Sequence, residues 1–225
     1  MIQRAATLGL ALAVAAAPAG GTEIPGAVLV LASAPGTPGS QGEGAPPRFV
    51  LLKDGQVFVG GTSILEVGEL DKKEASALRR RAEDLTRLAG FCEALSLGGD
   101  PARSVRLRLL EGRRFDLTVE GDPASTPPAL APLTALLSHL MSFDHPTLRP
   151  FVPASYALGV REGTLPGGCR AWSFSLPLED VLAGPTVVPV SEAEGWPTGA
   201  FPASVCAGGR RYVVTLRPLL PGERP

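Results

Sequence analysis

Between Phe49 and Phe143 one hydropathy pattern is written twice: an apolar run, an acidic-Gly turn, a second apolar run ending in Gly, then a helical segment. The first copy is FVLLKDGQVFVGG followed by DKKEASALRRRAEDLTRLAG, and the second is SVRLRLLEGRRFDLTVEG followed by PALAPLTALLSHLMSF. Asp54-Gly55 and Glu111-Gly112 are hairpin signals, because Gly accepts the positive φ that tight turns between strands need. In the second copy Val105, Leu107 and Leu109 alternate with Arg106 and Arg108, and Phe115, Leu117 and Val119 alternate with Arg114, Asp116 and Thr118. Such alternation predicts one buried and one wet face. The first hairpin has continuous runs, Phe49-Val50-Leu51-Leu52 and Val57-Phe58-Val59, and so predicts strands covered on both faces.

Helical spacing follows each hairpin. Asp71 with Glu74 three residues on fits a reciprocal N-terminal cap, and Leu78, Ala82, Leu85, Leu88 and Ala89 form the apolar stripe behind it, with Gly90 as the stop. Leu130, Leu133, Leu137, Leu140 and Met141 form the second stripe, opened by Pro128 or Pro132 and closed by His145-Pro146. The pattern predicts an α+β domain over residues 48–146, ordered β-β-α-β-β-α, with an antiparallel sheet of about four strands and both helices on one face. Gene duplication and independent recurrence of a common motif both accommodate the repeat.

Outside that block the texture changes. Residues 1–19 hold one early Arg, a nearly unbroken apolar stretch and Ala17-Pro18-Ala19, the form of a secretory signal peptide. The stretch is shorter than the roughly 20 residues that span a bilayer, so no transmembrane segment is expected after cleavage. Residues 20–47 are read as a flexible tether, because PGTPGSQGEGAPP has too little apolar surface to offset ordering, and folded structure is expected from about Arg48. Residues 147–225 carry a Pro or Gly every few positions and predict short strands, with one helical turn near Leu178 to Leu182 and a last strand over Arg211 to Arg217. This part is either a small β-rich subdomain or a continuation of the first sheet.

The chain is 44% hydrophobic with a net charge of −1, and this near neutrality argues against nucleic acid or an anionic membrane as partner. Arg79-Arg80-Arg81 reads as a solvated helix face with Glu83 and Asp84 as local partners. Of the three pairings open to Cys92, Cys169 and Cys206, Cys169 with Cys206 is favoured, since the turn-rich part has the least core and gains most from a cross-link. Cys92 is then expected as a buried thiol. Such a bridge fits a periplasmic or secreted protein.

Candidates for chemistry are few. Ser138, His139, Asp144 and His145 gather at one helix end, but His139 and His145 are not four apart as helical zinc ligands are. Glu192 and Glu194 are oxygen ligands for at most a weak calcium site, with solvated surface the simpler account. No nucleophile elbow, phosphate loop or paired-CxxC zinc site occurs, and no catalytic residue, cofactor or metal is expected. Trp172, Trp196 and Phe201 stand in Pro-flanked segments, as local core or as anchors of an interaction surface.

With Leu52-Lys53-Asp54-Gly55-Gln56-Val57, the helix ending in Phe91, the second hairpin and the terminal RYVVTLRPLLP, the chain resembles uncharacterised secreted or lipid-anchored bacterial proteins with a Trp-containing, Pro-rich tail. The resemblance implies no activity, and the lipid-modified Cys of the anchored members is missing here. The expectation is a monomeric, exported, non-enzymatic binding module whose partner is an envelope or secreted protein or a small ligand. An inhibitor of an extracellular hydrolase and a hydrolase with an unrecognised site are the alternatives.

Overall fold

The computed structural model describes residues 24–33, 46–60, 64–97, 104–122, 125, 127–198 and 202–224. The expected signal peptide and most of the tether lie outside these residues. The fold is α+β, with two sheets. The first contains β1 (Ala27–Ser33), β2 (Phe49–Leu52), β3 (Gln56–Val59), β4 (Glu66–Glu69), β5 (Ala94–Ser96), β6 (Val105–Leu109), β7 (Phe115–Glu120) and β8 (Arg149–Pro150), in the order β5-β7-β6-β1-β2-β3-β4-β8. All its neighbours are antiparallel except β5 and β7.

This sheet has eight strands rather than about four: β1, β4, β5 and β8 add to the two expected hairpins, and β1 joins those hairpins. The run AVLVLAS, inside the expected tether, forms the strand that joins the two hairpins, pairing with β2 on one side and β6 on the other. Val28, Leu29, Val30 and Leu31 are almost fully buried, as a central strand covered on both faces requires. At Arg149–Pro150, after the second helix, β8 pairs with β4 in this sheet.

Both hairpin turns form as expected. Gly55 and Gly112 have φ of +94° and +67°, and a Cβ at Gly55 would stand 2.7 Å from the Leu70 carbonyl oxygen, so a larger residue would displace backbone. Helix α1 (Lys72–Leu85) opens on the expected cap: Glu74 N donates to Asp71 Oδ1 at 2.7 Å and Asp71 N donates to Glu74 Oε2 at 3.0 Å. Helix α2 (Ala131–Met141) follows a 3-10 turn over Pro128–Leu130 and buries Leu133, Leu136, Leu137 and Leu140, leaving Met141 exposed.

Both helices pack on one face of the sheet. There Leu78, Ala82, Leu85 and the α2 leucines meet Leu29, Leu31, Phe49, Leu51, Leu107 and Leu117. The other face of β1, β2 and β3 carries Val30, Val50 and Phe58, covered by Ile24, Leu65, Phe151 and Leu220. The continuous apolar runs of the first hairpin thus have two cores to serve.

The second sheet contains β9 (Ser155–Glu162), β10 (Arg170–Ala171), β11 (Thr186–Pro189), β12 (Ala203–Ala207) and β13 (Arg210–Pro218), in the order β10-β12-β13-β9-β11. Tyr212, Val214 and Leu216 of β13 face its core, with Leu158, Val188 and Val205. Two short helices, α3 (Leu178–Leu182) and α4 (Val190–Ala193), each follow a proline. The sheet has its own core, yet the chain then returns to the first sheet, placing Leu220 against Val50 and Phe58. A buried ion pair holds this return: Arg217 Nη1 donates to Glu223 Oε1 at 2.6 Å, and Leu220 N donates to Glu223 Oε2 at 2.8 Å.

Candidate interaction surface

The aromatic residues come together beside the second sheet. Trp172 and Phe174 follow β10, and Trp196 follows α4. Phe174 stacks on Trp196 with ring centroids 4.6 Å apart and meets Trp172 at 5.0 Å. The Arg170 guanidinium lies 5.6 Å from the Trp196 ring centroid, while its Nη1 donates to the Gly195 carbonyl at 2.6 Å. Arg170 thus fixes the loop and covers one ring face with a cation. Phe174 is buried; Trp172 and Trp196 are half-buried against the second core. Phe201 lies outside the described residues.

Local chemistry holds these rings in place. Trp172 Nε1 donates to the Leu176 carbonyl at 2.8 Å, giving the half-buried indole its partner. Ser175 donates through N and Oγ to the Glu192 carboxylate, at 3.1 and 2.7 Å, tying the segment after Phe174 to α4. Glu192 is therefore already occupied by hydrogen-bond donors. The Cys169–Cys206 disulfide, with Cα atoms 5.6 Å apart, anchors β10 to β12, on which it pairs in parallel. Elsewhere on this sheet, Val187 of β11, at the edge opposite β10, and Val190 of α4 are about half exposed, at 48% and 49%. The region presents apolar surface on a cross-linked frame.

The other sequence candidates fall elsewhere. Cys92 is exposed, contrary to expectation, with Sγ donating to the Ala94 carbonyl at 3.0 Å; it follows α1 in a segment of exposed residues rather than under it. His139 packs edge-on to Phe143 at 5.6 Å, and burial, aided by Arg81, holds its pKa below the ordinary imidazole value. His145 stacks with Phe143 at 6.3 Å between ring centroids, with Nδ1 2.7 Å from Thr147 Oγ1 and Nε2 3.5 Å from Glu74 Oε1. Thr147 in turn bonds both backbone groups of Glu69, clasping the end of β4. The two histidines serve different contacts, and no set of three His, Cys, Asp or Glu among the described residues is arranged to hold a metal.

Arg79 meets Glu83 at 3.2 Å, as its helix spacing predicts, and also Glu111 at 3.7 Å. Glu111 pairs with Lys53, so the two hairpin turns and α1 share one charge network. The hydrogen bond from Lys53 is the main cause holding the Glu111 carboxyl below its usual range. Sequence spacing revealed only the i,i+4 part. Two clefts also escaped it: a groove of about 410 Å³ along Phe58, Val67, Phe151 and Pro221, and a cleft of about 720 Å³ beside Ile24, Lys53 and Arg108.

Comparison of the chain with protein-family models, with curated proteins and with solved structures finds no match. No helix among the described residues is long and apolar enough to cross a membrane. The disulfide is compatible with a location outside the cytoplasm.

Proposed function

We propose that the protein is an exported, non-catalytic binding module of the bacterial envelope, periplasmic or secreted, whose contact surface is centred on Trp196. The observation that carries this reading is the held, half-buried ring: Trp196 stacks on Phe174, lies beside the Arg170 guanidinium, and stands on a loop tied to a disulfide-anchored strand. A ring ordered before contact loses little further entropy on binding, and a Trp beside an Arg is the composition of an interface anchor.

Affinity capture from envelope and secreted fractions tests the proposal, using the disulfide-intact protein beside Trp196→Ala and Val152→Ala controls. One partner retained by the native form and by Val152→Ala, and lost by Trp196→Ala, is the expected result. A partner that Trp196→Ala retains would contradict the assignment of the surface. The inhibitor reading shares the same disulfide-held loop, and inhibition of an extracellular hydrolase lost in Trp196→Ala would select it. Turnover in a broad ester, peptide and glycoside screen would overturn the non-catalytic reading.

A further inference from the structure

The face of the first sheet that is opposite the helices changes character between β1 and β6. On β1 to β3 it is apolar and covered; on β6 and β7 it carries Arg106, Arg108, Asp116 and Thr118, with Arg108 directly across from Val30 on one side and Asp116 on the other. Asp116 does not serve Arg108. Its two oxygens are taken by Arg106, Nε to Oδ1 at 2.7 Å and Nη2 to Oδ2 at 2.6 Å, a bidentate pair that leaves little acceptor capacity.

Arg108 is left half-buried, beside a like charge, and without a hydrogen bond or ion pair among the described residues. Burial first, and Arg106 second, push its pKa below the ordinary guanidinium value. A desolvated donor fork in this position has unmet demand for an anionic acceptor. Arg108 lines the cleft of about 720 Å³, a volume in the range that holds small ligands. Of the other charges there, Lys53 and Glu111 satisfy each other and Asp116 is spent on Arg106. Arg108 and Arg114 remain against Glu93, and Ile24 and Leu110 give the cleft an apolar wall.

We propose that this cleft binds a small organic carboxylate with an apolar body, its two oxygens on the Arg108 guanidinium and its body against Ile24 and Leu110. The site is on the other sheet from Trp196 and is independent of the surface proposed above.

The test is an NMR titration of the full, disulfide-intact protein with octanoate, and with octylamine and inorganic phosphate as comparisons. Octanoate is expected to shift the Arg108 Nε–H signal and the amides of Gly26, Ala27 and Leu110 in a saturable way. Arg108→Gln should weaken it by about tenfold or more, the worth of one charge-assisted pair, and Arg114→Gln by about two- to threefold. Because the Arg108 side chain makes no hydrogen bond or ion pair among the described residues, Arg108→Gln should keep the native amide pattern and midpoint of unfolding, whereas Arg106→Gln lowers the midpoint by stranding Asp116. Octylamine or phosphate binding as tightly as octanoate would overturn the proposal. So would octanoate affinity unchanged in Arg108→Gln, loss of the native pattern in that variant, or no saturable shift up to about 10 mM.

Discussion

The two sheets reach stability by different means. The first has helices on one face, apolar segments on part of the other, and buried Leu and Phe throughout; the second has a small core supplemented by a disulfide, stacked aromatic rings and short proline-led helices. A sheet that buries large side chains on two faces gains enough from burial to dispense with a cross-link. One that spends its aromatic residues at its margin needs another constraint, and limiting the unfolded chain is the available one. On the proposed function the division separates a scaffold from a presenting surface; the return held by Arg217–Glu223, which carries Leu220 into the first sheet's core, joins the two.

The sharpest way to break the scaffold is at Phe49, which is fully buried and meets the edge of Phe143 at 4.9 Å. Phe49→Ala should cost about 3–5 kcal/mol, read from denaturant unfolding, and should lower protection in β1, β2 and β6 together. Next comes the tie. Glu223→Gln leaves the buried Arg217 guanidinium without its counter-charge and should cost about 3 kcal/mol. Its first sign should be faster hydrogen exchange at Leu219 and Leu220, while α1 and α2 keep their protection. A change confined to the helices would mean that the C-terminal return does not join the sheets.

The smallest effect concerns the turns of the scaffold. Glu111 titrates below its usual range in the folded protein because Lys53 bonds its charged form. A carboxyl whose folded pKa lies below its unfolded one adds stability that is present at neutral pH and lost as the pH falls through the carboxylate range, around pH 4. Lys53→Ala should therefore be slightly less stable than the native protein at pH 7, with the difference shrinking toward pH 3. A difference independent of pH would assign the effect to packing of the Lys53 stem.

Local signals were legible in the sequence where the answer is local. The Asp71/Glu74 cap, the Gly55 and Gly112 turns, the alternation of β6 and β7, the short helix over Leu178–Leu182 and the Cys169–Cys206 bridge follow from nearby residues or from simple arithmetic on cysteines. What escaped is non-local. The place of β1 between two hairpins depends on partners about twenty and eighty residues away, and its apolar run reads equally well as part of a leader or a buried strand. The Arg217–Glu223 pair was hidden because neither charge signals burial by itself. Alternation puts Arg108 on the wet face, as observed; only the bidentate hold of Arg106 on Asp116 reveals that it has no acceptor among the described residues. Trp172 and Trp196 stand out in the sequence, while Phe174, on which both rings pack, does not.

The division between scaffold and presenting surface is tested most directly by native-state hydrogen exchange on the protein with its disulfide intact and on the Cys169→Ser/Cys206→Ser variant. Loss of the bridge should lower protection in β9, β12 and β13 by about 2–4 kcal/mol and leave β1, β2 and β6 near their original values. Equal loss in both sheets would show that they unfold as one unit, and unchanged protection in the second sheet would show that its own core suffices; either result contradicts the account.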